Sequence, residues 1–294
     1  MKHRATKRTS RISAARILNG TILAVLALLT LYPFWYVVCV AFSSQQALVG
    51  KSLIFRPYGF NFDSLIYVMT SRDFTSIFTN TVFVVVIGTL LSMICSIGIA
   101  YALARKVKGH RFWNFFIFVT LVFEGGMIPT YLVVRDTGLL NSVWALILPR
   151  LCSPYYIMLL RNSFESVPAS LDESANLDGA GVIKTLIHII LPVSLPGLTT
   201  IALFYGVLYW NNFMDGVLYL TDRTKWTMQV LLREILITVQ PDQMGGAGGD
   251  TSSLTTTEAV KMATVLVTVL PVLIIYPFIQ KYFVSGIMVG AVKG

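Results

Sequence analysis

The sequence predicts an all-α fold, a polytopic membrane protein with six transmembrane helices. Two observations carry that expectation. Hydrophobic residues make up 55% of the 294-residue chain and charged residues only 13%, and the apolar excess is gathered rather than spread. Uncharged runs cover 17–50, 74–104, 185–214 and 262–280, whereas a bilayer core takes about 20 helical residues to cross. A soluble amphipathic helix shows polar residues at nearly every turn, and these runs do not. Soluble, disulfide-rich, collagenous and disordered classes are excluded.

In chain order, clean spans are expected at about 17–42, 77–104, 187–212 and 260–280. Two more accommodate 113–134 and 139–160, where the single charges Glu124 and Arg150 interrupt apolar stretches that contain Pro129, Pro149 and Pro154. Membrane helices tolerate proline and glycine when neighbouring protein satisfies the freed backbone groups. Orientation follows from the basic residues, which are retained on the cytoplasmic side. Lys2, Arg4, Lys7, Arg8, Arg11 and Arg16 precede any acid, and Arg105, Lys106, Lys108 and Arg111 follow the second span. A multi-pass protein of the cytoplasmic (inner) membrane is expected, both termini inside. The organisation is a basic cytoplasmic N-terminus over 1–16, a transmembrane domain over 17–280 and a cytoplasmic tail over 281–294. Loops at about 43–76, 135–138 and 213–259 face outward. The first apolar run is too long for the core of a cleaved signal, so it reads as a retained span.

Several chemistries have no residues to carry them. Cys39, Cys95 and Cys152 lie far apart inside apolar runs, and His3, His110 and His188 are scattered, so no metal site can be assembled from spacing. No G-x-x-x-x-G-K-[ST] loop occurs, so ATP and its magnesium belong to another chain and no cofactor is expected in this one. The net charge of +9 sits on short flanks of the spans, a topology signal rather than a nucleic-acid surface. A membrane enzyme would need clustered His, Asp or Glu near one face. A stand-alone channel or secondary transporter of six spans would be small and without an internal repeat.

The informative segment is the cytoplasmic loop 165–191. Ser170 with Glu173 three residues on reads as a capping box, Leu171 and Ala175 share a helical face, and Gly179 ends the helix. A second amphipathic stretch follows, with Val182, Ile183, Leu186, Ile187 and Ile190 on one side up to Pro192. From periodicity alone this is a helix–turn–helix at the membrane surface, equally compatible with a plain connector between two spans.

Glu173-Ser174-Ala175, three residues, Gly179, nine residues, then Ile189-x-Leu191-Pro192 resembles the E-A-A-x3-G-x9-I-x-L-P loop of ABC-importer permeases, with Ser174 replacing the middle alanine. The likeness extends to Tyr32-Pro33-Phe34, Trp210-Asn211-Asn212-Phe213 and the tail from Tyr276. The chain is similar to the smaller permease of type I carbohydrate importers, the group of the maltose importer's second permease, and the run 286–294 to a branch for complex, often uronate-containing oligosaccharides such as alginate or pectin fragments. That resemblance implies the type I importer permease fold. It also implies a transport subunit rather than an enzyme, a second homologous permease, two ATP-binding cassette subunits and an extracytoplasmic solute-binding protein. Another solute class, such as an amino acid or phosphate, stays open because the loop motif is shared across importers.

The resemblance assigns coupling to the ATPase to Glu173, Ala175 and Gly179, with Ser174 at the motif's middle position; Asp172 and Asp178 either add charge contacts there, Asp178 being counted with the coupling set, or are simply solvated. It assigns the outward loop bearing Pro241, Gln243, Gly245, Gly246, Gly248 and Gly249 to contact with the binding protein. For the substrate path, Tyr205, Tyr209, Trp210, Asn211 and Asn212 supply rings and amides that suit sugars, although Trp and Tyr equally anchor membrane interfaces. Glu124 and Arg150, the charges deep in spans, face protein or water. Either they pair with each other, or Arg150 faces the path and attracts a carboxylate.

Overall fold

The computed structural model describes residues 14–48, 50–51, 53–71, 73–238 and 258–277. Among them the regular secondary structure is helical. The chain divides into two compact units, one holding described residues 14–68 and 258–267, the other 69–238 and 268–277. Among the described residues three helices are long and apolar enough to cross a membrane: 17–41 within Ala14–Ala41, Phe74–Ala104 and Glu258–Pro277. The count reaches six if each of three bent helix pairs is one span.

The first unit is built on Ala14–Ala41, whose apolar side chains from Ile17 to Leu31 are largely exposed. Only its C-terminal end is covered, where Cys39 and Val40 pack with Ile54, Tyr58 and Met262. The segment after it folds back. Ser43 donates to the Cys39 carbonyl and accepts from the Tyr58 amide, and the Trp35 indole donates to the Phe55 carbonyl.

The second unit centres on Phe74–Ala104, which packs against Leu195–Trp210 and Pro154–Glu165. Its contact face carries small residues four apart, Gly88, Ser92, Ser96 and Ala100. Small side chains let membrane helices approach closely and hydroxyls cross-link them. Ser92 and the Tyr209 hydroxyl share a 2.8 Å hydrogen bond, and Ser96 and Tyr205 one of 2.7 Å. A Cβ at Gly88 would stand 2.9 Å from the Tyr209 ring.

Several expectations need correction. The expected 187–212 span is not continuous: Val182–Val193 and Leu195–Trp210 meet at Ser194 with an 86° bend. Pro192 and Pro196 flank the break, and Pro196 sits in the first turn of the second helix, where its missing N–H is harmless. The expected 113–134 span bends by 112° between His110–Val122 and Met127–Asp136. There Phe123 is extended and Gly126 has φ 85°, a conformation glycine adopts without Cβ strain. Val143–Arg150 and Pro154–Glu165 meet at 51°. The 213–259 segment, expected as an outward loop, contains the helices Met214–Tyr219 and Met228–Thr238.

Candidate functional site

Two places collect the predicted residues. The first is the helix Ala169–Leu177 and the chain that follows it. It starts one residue before Ser170, with the Leu171 amide donating to the Pro168 carbonyl. Ser170 therefore lies inside the first turn and is not the cap of a capping box. Proline at the boundary supplies the required φ and sets the start instead. Gly179 does end the helix: its φ is 72°, and the Ala180 amide reaches back 2.9 Å to the Ala175 carbonyl, closing a Schellman-type turn.

The faces of this helix differ from the periodicity reading. Ala175 and Asp172 are turned into the protein, whereas Leu171, Glu173, Ser174, Asp178 and Gly179 are exposed. Asp172 is ion-paired with Arg105, just past the end of Phe74–Ala104. The Arg105 guanidinium also lies 5.1 Å from the Tyr101 ring centroid. Neither Arg105 nor Asp172 stood out as a pair in sequence, because 67 positions separate them.

The second amphipathic stretch also presents a different face. A π-helical turn over Leu186–Ile190 adds a residue to the local repeat. Thr185 and Ile190 are buried, and Leu186 and Ile189 partly so, while Val182, Ile183 and Ile187 are exposed.

The second place is a hollow of about 210 Å³ lined by Arg150, Leu208, Asn211, Asn212, Phe213 and Met214. Arg150 does not pair with Glu124 but with Asp215, whose carboxylate accepts from Nε and, at 3.0 Å, from Nη2. Glu124 is exposed, at the break between His110–Val122 and Met127–Asp136. Asn212 tightens the Asp215 pair: its Nδ2 donates to Asp215 Oδ2 at 2.9 Å, and its Oδ1 accepts from the Asp215 amide at 3.3 Å. Asn211 Oδ1 accepts from Gln229 Nε2 at 3.4 Å.

Arg150, Asn211 and Asn212 thus meet at one surface. Tyr205, Tyr209 and Trp210 are buried. The two tyrosine hydroxyls are consumed internally, since Tyr205 accepts from the Ser153 amide at 3.0 Å and Tyr209 donates to the Ile147 carbonyl at 3.3 Å. None of these three rings is among the residues that line the hollow. Asp215 escaped the sequence reading because it was assigned to an outward loop. The signal was an acid five residues beyond the aromatic end of a span that faces a lone membrane arginine. Pro241, Gln243, Gly245, Gly246, Gly248 and Gly249 lie outside the described residues. Among the described residues no group of His, Cys, Asp and Glu could hold a metal ion.

Residues 111–289 match the family described as the binding-protein-dependent transport system inner membrane component. The chain is 41% identical over 278 residues to the polygalacturonan/rhamnogalacturonan transport system permease protein YtcP of Bacillus subtilis (strain 168), covering 92% of this chain and 96% of the relative. Protein LplC of the same organism is 36% identical over 269 residues, 90% of each chain. A chain in the crystal structure of a bacterial ABC transporter involved in the import of the acidic polysaccharide alginate superposes with a TM-score of 0.84 at 31% identity, covering 96% of this chain and 100% of that one. The match takes in the 165–191 loop and both sides of the Arg150 hollow. This chain belongs to the family of binding-protein-dependent transport system inner membrane components.

Proposed function

We propose that this chain is one permease of an ATP-driven ABC importer for oligosaccharides, and that its substrates carry uronate carboxylates. It works by alternating access with a second homologous permease. Two ATP-binding cassette subunits hydrolyse ATP with magnesium, and an extracytoplasmic solute-binding protein delivers the substrate. The chain crosses the membrane six times with both termini in the cytoplasm, each bent helix pair acting as one span. The 165–191 loop docks on an ATPase subunit, and the outward segment carrying Pro241, Gln243 and Gly245 to Gly249 touches the binding protein.

The observation that supports this reading best is the arrangement of the 165–191 loop. An exposed carboxylate at Glu173 lies beside Asp172, which is tied to the end of the Phe74–Ala104 helix through Arg105. One side of the loop helix is therefore free to meet a basic partner, while the other is anchored to the helix that forms the core of the second unit. A push on this helix is passed on to the packed helices rather than absorbed by a slack connector. The uronate substrate rests on the substrates for which two similar transporters are named, polygalacturonan/rhamnogalacturonan and alginate, and on an arginine in the hollow.

The test is ATP hydrolysis by the complete transporter in proteoliposomes, with its binding protein and either galacturonate oligomers or neutral oligosaccharides of equal length. Stimulation and uptake by the acidic oligomers is the expected result. Stimulation by an amino acid or by phosphate alone would overturn it.

A further inference from the structure

We propose that Arg150 binds the carboxylate of a uronate unit as it passes, and that Asp215 is the positioning residue that holds the guanidinium for it. This deepens the uronate-import reading and rests on it.

Asp215 takes Nε and Nη2 of Arg150, and its second donor partner is the Asn212 amide. The Asn212 carbonyl is occupied by the Asp215 backbone amide, and the Asn211 carbonyl by Gln229. Each side-chain acceptor around the hollow therefore already has a protein donor, although each amide carbonyl keeps a second lone pair. The groups with no protein partner among the described residues are donors, Arg150 Nη1 and the Asn211 NH₂ group. A sugar hydroxyl brings a donor as well as an acceptor, whereas an ionised carboxylate only accepts. A rim of unused donors thus favours the carboxylate, and a guanidinium binds it with a charge-assisted bond in a fixed plane.

Exposure fits this division of labour. The Asp215 side chain is 8% exposed and the Arg150 side chain 41%. The holding carboxylate is covered while an edge of the cation stays open. Without Asp215 a long arginine side chain would sample many rotamers, and a ligand would have to order it on arrival. Leu208, Phe213 and Met214 give the hollow an apolar side for the C–H face of a ring. At about 210 Å³ the hollow is smaller than the roughly 300–1,000 Å³ of a complete small-molecule site. That size suits one unit of a longer chain held on a path shared with the second permease.

The experiment compares import of trigalacturonate and its fully methyl-esterified form by the complete transporter in proteoliposomes with its binding protein. The two ligands share rings and hydroxyls and differ in the carboxylates. Transport is measured for wild type, Arg150→Gln, Asp215→Asn and the paired Arg150→Gln with Asp215→Asn. The paired variant leaves no buried carboxylate without a partner and so separates recognition from folding.

Arg150→Gln and the paired variant are expected to raise KM for the free acid about tenfold to a hundredfold, the worth of one charge-assisted hydrogen bond, and KM for the ester far less, because its carbonyl loses only a neutral hydrogen bond. Asp215→Asn is expected to raise KM for the acid with kcat held. Equal losses for acid and ester in the paired variant, or an intact preference for the acid in either Arg150 variant, would overturn the Arg150 site while leaving uronate import standing. A wild-type transporter that imports only neutral oligosaccharides would overturn the substrate reading itself, and the Arg150 site with it.

Discussion

Arg105 and Asp172 form an ion pair that joins the end of the Phe74–Ala104 helix to the Ala169–Leu177 helix. Two neighbouring acids consequently have opposite duties. Asp172 is turned inward to Arg105, and Glu173 is exposed. The linked helix runs back through Ser96 and Ser92 to Tyr205 and Tyr209 on Leu195–Trp210, the helix whose end lines the Arg150 hollow. Side-chain bonds spaced along one helix therefore tie the 165–191 loop at one end and the helix that reaches the proposed substrate path at the other.

Breaking the pair should uncouple as well as destabilise. Removing one partner of a fully buried pair costs about 3–5 kcal/mol. Arg105 is 31% exposed, so solvent screening reduces the expected cost of Asp172→Ala to about 1–2 kcal/mol. Uptake per ATP hydrolysed should fall several-fold, and exchanging the charges with Arg105→Asp and Asp172→Arg should restore part of it. Loss of transport in proportion to ATP hydrolysis, without recovery in the swap, would limit the pair to a structural role.

Gly179→Ala tests the turn by itself. A Cβ there meets nothing within 4 Å, so the substitution acts through the backbone alone. An L-residue at φ 72° costs about 1–2 kcal/mol, and asparagine tolerates that region better than alanine. Thermal unfolding and uptake of the assembled transporter should rank Gly179 above Gly179→Asn, and that above Gly179→Ala. Equal behaviour of all three would show that the turn has no part in docking.

Gly88→Ala tests the contact between Phe74–Ala104 and Leu195–Trp210. The added methyl would press on the Tyr209 ring at 2.9 Å, an overpacking that costs about 1–3 kcal/mol. Tyr209→Phe keeps the ring and removes the bonds to Ser92 and the Ile147 carbonyl, at about 1 kcal/mol. Thermal unfolding in detergent should show a larger loss for the glycine variant. Combining Gly88→Ala with Tyr209→Ala should recover some of it, because the clash is with that ring.

The uncharged runs made the straight spans and the helical class legible, since length and hydropathy alone decide whether a segment can cross a bilayer. The breaks were not. Pro192 and Pro196 are as compatible with a kinked helix as with an 86° bend, and the packed neighbours decide between them. The residues proposed for coupling were picked out by a spacing that puts Gly179 at the turn, where the structure has it, but the spacing did not say which side faced inward. Asp172 and Ala175 turned out to face their own chain. Arg150 was legible as a charge that had to meet protein or water, yet its partner Asp215 lies 65 positions away. The stripe Gly88, Ser92, Ser96 and Ala100 was there to be read as small residues every fourth position, and it foretells the helix face that meets Tyr205 and Tyr209.

The central claim is that the exposed carboxylate of the 165–191 loop passes ATP-driven motion to this permease. It is tested most directly by Glu173→Lys in the complete transporter, reading ATP hydrolysis and oligosaccharide uptake together with and without loaded binding protein. Glu173 is exposed, so the variant should fold and reach the membrane with its partner permease. The account predicts that stimulation of ATP hydrolysis by the binding protein and uptake are both lost. Uptake and stimulation at wild-type levels would contradict it.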